Sequence, residues 1–413
     1  MKARNPGLRL GLVCLAAASA GLSVVIISIS KFLLVIAVLT ALLSGKRPVV
    51  EGAPLQKMWA PQLATVVVFA FAFSLLWTVA PLDQALGALG KYGKLMVIPA
   101  LLVLIRTKQE ACYALACFLG AQVFLLISSW LLYFHVPVVW ATSNMALYQY
   151  AVFSSYLDQG IMSAVVAAIF WHLKALTPNK ALFYAFLGIA LLALANVFIV
   201  FVGRTAYLIG IAMVSLAVFW VLPRKYRLAV VLLPPLLLLL AFFSFDQVAQ
   251  RVSFTKAEVS DFSAGIGAAT SADNRLDFWK ASTKAIVEKP LAGTGVGSWA
   301  TTYNKIQKNI HPSHKDLTAG GNPHQEFLLW GVQLGVGGIM LLVAFMTAVM
   351  LDLRKMDTPV GRAGLSVLVA LAIACLFNSS LYDAYIGDFF CLSLGTLLAY
   401  GARSCATPQT QKS

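Results

Sequence analysis

Two arginines and one histidine are the residues of this chain whose types and positions best fit chemistry, and each lies beside a long apolar run. Arg204 separates two apolar runs, Arg275 begins a stretch with helical spacing, and His324 follows Asn322 and Pro323 just before a further apolar run. A histidine can exchange a proton near neutral pH, and the planar fork of an arginine suits the oxygens of a phosphate or diphosphate. Together these residue types predict proton transfer beside a bound phosphate group.

Each of the three also has a plainer interpretation. Arg204 could be an arginine at a helix end that extends its charge to the membrane surface, although positive charge is disfavoured on the exported side of a membrane protein. Arg275 could form a salt bridge with Asp273 or Asp277, and His324 could be a hydrogen-bonded structural residue. The position of His324 at a helix start, after a Gly-Gly-Asn-Pro turn, favours the chemical interpretation.

An amphipathic helix is predicted around Arg275. Four side chains from Arg275 to Ile286 recur at helical spacing and could form one face: Leu276, Trp279, Thr283 and Ile286. Arg275 would lie in the first turn, capped by Asp273 or Asn274. With lysines on its other side, this helix could lie in the membrane interface.

Three other motifs contain residue types that can bind a ligand. Asp383, between two apolar runs, could orient a basic residue or a sugar hydroxyl, or it could be a solvated loop acid. The glycines at 293, 295 and 297 follow Lys289-Pro290 and no strand, which argues against a dinucleotide site and predicts a flexible turn between two helices. His311 and His314 precede His324, but no cysteine or well-placed carboxylate completes a metal site, so no metal is expected.

The composition is that of a polytopic membrane protein. Of 413 residues, 60% are hydrophobic and 11% are charged, whereas soluble domains carry roughly 25% charged residues. The net charge of +15 lies mostly in short connections between apolar runs, which indicates membrane topology more than nucleic-acid binding. The six cysteines show neither a disulfide framework nor a metal spacing.

The apolar runs predict about twelve transmembrane helices, since each span needs about twenty apolar residues. Residues 8–43 form two spans, divided at the polar residues 28–31. The other spans lie near residues 63–79, 94–105, 111–133, 161–173, 182–202, 207–222, 228–243, 327–351, 365–377 and 386–400. We therefore expect an all-α fold with transmembrane helices 1–9 in residues 1–243, a large, mostly helical loop in 244–326, helices 10–12 in 327–401 and a tail in 402–413.

Lysine and arginine residues predict the orientation. They are concentrated in alternate connections and at both termini, which places both ends in the cytoplasm and the loop 244–326 on the exported face. The amino terminus resembles a signal peptide, but with so many later spans a retained first helix is favoured. All candidate residues then lie on the exported face, where a reaction cannot draw on cytoplasmic nucleotides and needs a preactivated substrate.

At these residues the chain resembles the O-antigen ligase family, which also includes O-antigen polymerases and membrane protein O-oligosaccharyltransferases. The resemblance rests on residues 203–206, on Arg275 with Trp279, on the glycine motif 291–297, and on residues 322–328 with Gly335. It implies a GT-C-like glycosyltransferase of the bacterial inner membrane, with an undecaprenyl-diphosphate-linked glycan as donor and lipid A-core as acceptor at the periplasmic face.

The resemblance also implies roles for single residues. The enzyme would need neither metal nor cofactor and would invert the anomeric centre. Arg204 and Arg275 would hold the diphosphate, and His324 would be the general base. Asp383, Asn322 and Trp279 complete the residues that we expect to bind substrate.

Two other enzyme functions and one transport function compete with the ligase. A polymerase would join two lipid-linked glycans with the same arginines, and a protein O-oligosaccharyltransferase would use a protein acceptor. A transporter of lipid-linked glycans would place charges inside its spans. In this chain the charged or titratable residues within spans, such as Lys94, His172 and Asp388, are expected near span ends, which favours chemistry at the membrane surface.

Overall fold

A computed structural model describes residues 7–43, 50–53, 55–244, 271–310, 312–313, 315–317 and 321–404. In these ranges the regular structure is helical and contains no strand, which confirms the all-α prediction. The α-helices are α1 (Gly7–Ser19), α2 (Val24–Leu43), α3 (Trp59–Phe73), α4 (Leu82–Tyr92), α5 (Val97–Leu104), α6 (Lys108–Tyr133), α7 (Ala146–Gln149), α8 (Tyr156–Leu173), α9 (Lys180–Ala195), α10 (Arg204–Val221), α11 (Leu233–Ser244), α12 (Ser271–Glu288), α13 (Trp299–Ile310), α14 (Glu326–Leu353), α15 (Thr358–Phe377) and α16 (Ala384–Ser404).

Every predicted span corresponds to a helix, although two of these helices are short. In the described part of the chain, 10 helical segments are long and apolar enough to cross a bilayer. They are Val24–Leu43, Trp59–Leu76, Leu82–Leu104, Lys108–Tyr133, Tyr156–Leu176, Lys180–Val200, Arg204–Val221, Glu326–Leu353, Thr358–Phe377 and Ala384–Ser404. The first and ninth predicted spans correspond to α1, of 13 residues, and α11, of 12 residues. The protein is therefore a polytopic membrane protein.

The first hairpin breaks at a different place from the one that we predicted. The chain turns at residues 20–23, where a Cβ on Gly21 would lie 2.5 Å from the carbonyl oxygen of Ala121. The polar residues 28–31 lie inside α2, because its serine hydroxyls bond to carbonyls of their own helix, as Ser30 Oγ does to Ile27 at 2.9 Å. Lys31 is also within α2 and pairs with Asp388 of α16, with 2.7 Å between Nζ and Oδ2.

The connection between the spans predicted at residues 63–79 and 94–105 is largely the helix α4. Ala85, Ala88 and Tyr92 recur at helical spacing and are buried along one face. A short 3₁₀ segment, Gly93–Met96, then leads into α5, so that the predicted span 94–105 is the second half of a longer helical segment. Lys94, expected near a span end, therefore lies inside this segment, and its position no longer argues against transport.

Gly335 interrupts α14, a break that the sequence prediction missed. The φ of Gly335 is +67°, and the segment 289–297 fills the gap. Its glycine turn donates from Thr294 N to the Val332 carbonyl at 2.8 Å, while the Pro290 carbonyl accepts from Val336 N at 2.8 Å. The broken helix thus regains partners for its backbone groups, as a membrane-embedded break requires.

The glycine motif is consequently a fixed turn, and the prediction of a flexible one is wrong. Gly293, Gly295 and Gly297 all have positive φ. A Cβ on Gly295 would lie 2.3 Å from Cα of Thr78, which follows α3 by five residues, so the backbone approaches closer than any side chain would allow. This turn fixes α12 and α13 against α14, which begins next to His324.

Candidate active site

His324 is held in an unusual backbone conformation directly before α14. Its φ is +51°, in the left-handed region that non-glycine residues rarely adopt. The side chain of Asn322 stabilises this turn, since its Oδ1 accepts from His324 N at 2.8 Å. Gln325 then caps α14 by accepting from Leu328 N. Residues with such strained backbone conformations concentrate at functional sites.

Helix α12 packs against the histidine turn through two aromatic residues. The indole Nε1 of Trp279 donates to the Pro323 carbonyl at 3.0 Å. One residue earlier, the ring of Phe278 stacks on the imidazole of His324, with 6.3 Å between the ring centroids. Trp279 and His324, predicted from separate motifs, are therefore brought together.

Arg275 lies on the same helix, close enough to act on His324 electrostatically. Burial first, and the positive charge of Arg275 second, lower the pKa of His324 below its ordinary value. A neutral imidazole at physiological pH can accept a proton. The helix begins at Ser271, so Arg275 lies in its second turn and the predicted cap at Asp273 or Asn274 is wrong; the side chains of these two residues lie outside the described structure.

Asp383 is linked to the histidine turn through Asn322. Nδ2 of Asn322 donates to Oδ1 of Asp383 at 3.4 Å. Burial raises the pKa of Asp383, while Lys94 and Lys91 oppose the shift. Asp383 is thus a partly buried acid within a network and not a solvated one. Both polar atoms of the Asn322 side chain make hydrogen bonds inside the protein, so this residue positions the turn, and its expected contact with substrate stays a prediction.

Two lysines support the connection that carries Asp383, and the sequence analysis gave them no such role. Lys94 is 3% exposed, and its Nζ donates to the carbonyls of Tyr382, Asp383 and Ala384. Nζ of Lys91 lies 4.0 Å from the centroid of the Tyr382 ring. The sequence showed Lys94 as a lysine between two apolar stretches, but it could not show its hydrogen-bond partners, which are distant in sequence.

Glu326 is a third residue whose role the sequence did not indicate. It is fully buried at the start of α14. Its carboxylate accepts from Trp330 Nε1 at 2.7 Å and from the backbone N–H groups of Leu381 at 2.8 Å and Tyr382 at 3.2 Å. This side chain ties the histidine turn to the connection between α15 and α16, and so sets the separation of His324 from Asp383.

Arg204 is the first residue of α10 and is linked to this group by way of α8. The start of α10 packs closely on the start of α8, where a Cβ on Gly160 would lie 2.9 Å from Cβ of Ala206. Asp158, also at the start of α8, interacts electrostatically with Asp383. The structure therefore gathers Arg275, Trp279, Asn322 and Asp383 around His324, with Arg204 on the neighbouring helix pair.

The expectation that His311 and His314 hold no metal stays a prediction, because both residues lie outside the described structure. Within the described ranges, no group of three histidine, cysteine, aspartate or glutamate residues could hold a metal ion. The charged groups near His324 include Arg275 and, around Asp383, two lysines, and such cations suit an anionic substrate.

The sequence was compared with known families and proteins. Residues 189–343 match the family model described as O-antigen ligase. The match contains Arg204, Arg275, Trp279 and His324 and ends inside α14, whereas Asp383 lies beyond it. No curated protein matches the chain.

Proposed function

Because this chain belongs to the O-antigen ligase family, we propose that its ligase- or polymerase-type chemistry is that of an O-antigen ligase. It transfers a glycan from undecaprenyl diphosphate to a sugar hydroxyl of lipid A-core. The reaction takes place at the periplasmic face of the bacterial inner membrane, in an enzyme whose two termini are cytoplasmic. The asymmetry of lysine and arginine between alternate connections supports this orientation.

The observation that carries the proposal is the position of Arg275 beside a half-buried His324. The lowered pKa of His324 supplies a neutral imidazole, which removes the proton from the attacking sugar hydroxyl. General base catalysis of this kind contributes roughly 10²–10⁴-fold. Arg275 has two effects, because its charge both disfavours a protonated His324 and attracts the diphosphate of the donor.

The reaction balances as a single displacement. The acceptor oxygen loses its proton to His324 and forms a bond to the anomeric carbon of the donor sugar. The bond between that carbon and the diphosphate oxygen breaks, and its electron pair leaves with the lipid diphosphate. Arg275 and Arg204 stabilise the growing negative charge by fixed, preoriented donors. Displacement from the opposite face inverts the anomeric centre, and no metal or cofactor takes part.

Asn322, Asp383 and Trp279 hold the base in place. Trp279 anchors the Pro323 carbonyl, and Asn322 connects His324 N to the Asp383 carboxylate. The remaining oxygen of Asp383 can accept from a sugar hydroxyl. Both substrates carry lipid anchors, so they reach the group from the bilayer and not from the periplasm.

Reconstitution in vesicles tests the proposal. The purified chain receives an undecaprenyl-diphosphate-linked glycan with lipid A-core as the sole acceptor, and the product is detected by mass spectrometry and its anomeric configuration by NMR. We expect transfer with inversion. His324→Ala should abolish it, whereas His135→Ala, a change at an exposed histidine, should not. Transfer only to a second lipid-linked glycan would identify a polymerase, and transfer by His324→Ala at the unaltered rate would exclude the proposed base.

A further inference from the structure

An apolar groove lies between α8, α9 and α10, away from the candidate active site. Its volume is about 350 Å³, within the range of small-ligand sites. Small side chains on all three helices create it, namely Ala167, Ala168, Ala190 and Ala217, while Trp171 and Leu222 lie near the ends of α8 and α10. These ends belong to the basic side of the protein, which we define by the connections 174–180 and 222–227.

The length of the groove fits one leaflet of a bilayer. On α10 its lining runs from Met213 to Leu222, a rise of about 14 Å for a helix that advances 1.5 Å per residue. Half of a hydrocarbon core is about 15 Å. An acyl chain of a phospholipid therefore matches the groove, whereas an undecaprenyl chain is far longer than it.

Positive charges surround the basic end of the groove. Nζ of Lys174 lies 3.0 Å from the ring centroid of Trp171, which lines the groove. Nε of Arg227 donates to the carbonyl of Leu222, another lining residue, at 3.3 Å. Arg362 approaches from α15, with Cζ 5.8 Å from the ring centroid of Trp220.

In the described part of the chain, no carboxylate lies within ion-pair distance of these charges. Among the ion pairs of the described residues, none involves Lys174, Arg227 or Arg362. The positive charges at this end of the apolar groove suit an anionic group.

We propose that this groove binds an anionic phospholipid, with one acyl chain between α8, α9 and α10 and the phosphate between Lys174 and Arg227. Basic pockets between membrane helices commonly hold such headgroups. The site is separate from glycan transfer, and so the lipid is a resident of the leaflet and not a substrate. It fills the apolar space between α8, α9 and α10.

Lipid retention measures this site directly. The purified chain is placed in nanodiscs that contain phosphatidylglycerol and phosphatidylethanolamine in equal amounts, and spin-labelled or native-mass-spectrometric detection reports the bound lipid. The variant Lys174→Ala/Arg227→Ala removes two charges at the groove. Arg354→Ala/Lys355→Ala removes two charges from another connection of the basic side and is the matched control. Ala217→Phe fills the groove and leaves every charge in place.

We expect preferential retention of phosphatidylglycerol by the wild-type chain and by the control. The groove double variant should retain it roughly 10- to 30-fold less, from the attraction expected for two basic side chains at a membrane surface. Ala217→Phe should also lose it, in samples whose folding is verified by thermal unfolding. Equal retention by all variants, equal binding of phosphatidylethanolamine, or displacement by undecaprenyl phosphate at equal concentration would each overturn the proposal.

Discussion

Removing the side chain of Asn322 tests how the base is positioned. In Asn322→Ala, His324 N loses the acceptor that stabilises its turn at 2.8 Å, while φ of His324 remains unfavourable at +51°. Leaving a backbone donor without its partner costs about 1–3 kcal/mol. If that cost falls on the reactive conformation, kcat decreases roughly 5- to 150-fold.

The assay separates positioning from substrate binding. We expect kcat for glycan transfer to fall with KM nearly unchanged, because Asn322 acts through His324. Asn322→Asp keeps the Oδ1 acceptor but loses the donor to Asp383. Its loss of activity should therefore come from repulsion between two carboxylates, and this loss should diminish in an Asp383→Asn background. In a His324→Ala background, Asn322→Ala should have no further effect. A rise in KM alone, or full activity of Asn322→Ala, would refute this reasoning.

The other predictions concern the charge, the helix break and the buried acid. Arg275→Ala should raise the pKa of His324, so that the acid limb of the profile of kcat/KM against pH moves to higher pH. Arg275→Lys keeps the positive charge and should leave that limb in place. It should still lower the rate, because a point charge cannot replace two parallel hydrogen bonds. Gly335→Ala should lower the unfolding temperature, since its φ is +67° and its Cβ would collide with backbone, whereas Gly337→Ala meets nothing within 4 Å and should be neutral or stabilising. Glu326→Gln should destabilise the chain by about 1–3 kcal/mol in denaturant unfolding, because an amide cannot accept all three donated hydrogen bonds; unchanged stability would show that these bonds contribute little.

The helices could be predicted because the bilayer imposes their length. Each apolar run had to satisfy its own backbone, so runs such as 111–133 and 327–351 became helices with nearly the predicted ends. The breaks could not be predicted in the same way. Ser30 is polar but bonded within α2, and Gly335 breaks α14 only because the Pro290 carbonyl reaches Val336 N from a distant segment.

The sequence predicted which residue types form the candidate site, but not which residues contact one another. The sequence indicated His324, Arg275 and Asp383, since their chemistry suits a diphosphate and a hydroxyl. It could not indicate that Lys94 lies beneath the connection of Asp383, because those partners are separated by 289 positions in the chain. Glu326 was visible as a charge beside an apolar run, but its backbone partners are 55 positions away.

The turn wedged into the break of α14 has a mechanical consequence. It joins α12, which carries Arg275, to α14, which begins beside His324, through backbone hydrogen bonds at Val332, Gln333 and Val336. On the proposed function, a lipid-linked donor that enters the site would move these two helices together, so that the spacing of guanidinium and imidazole is preserved. Entry of the donor from the bilayer then requires an opening between other helices.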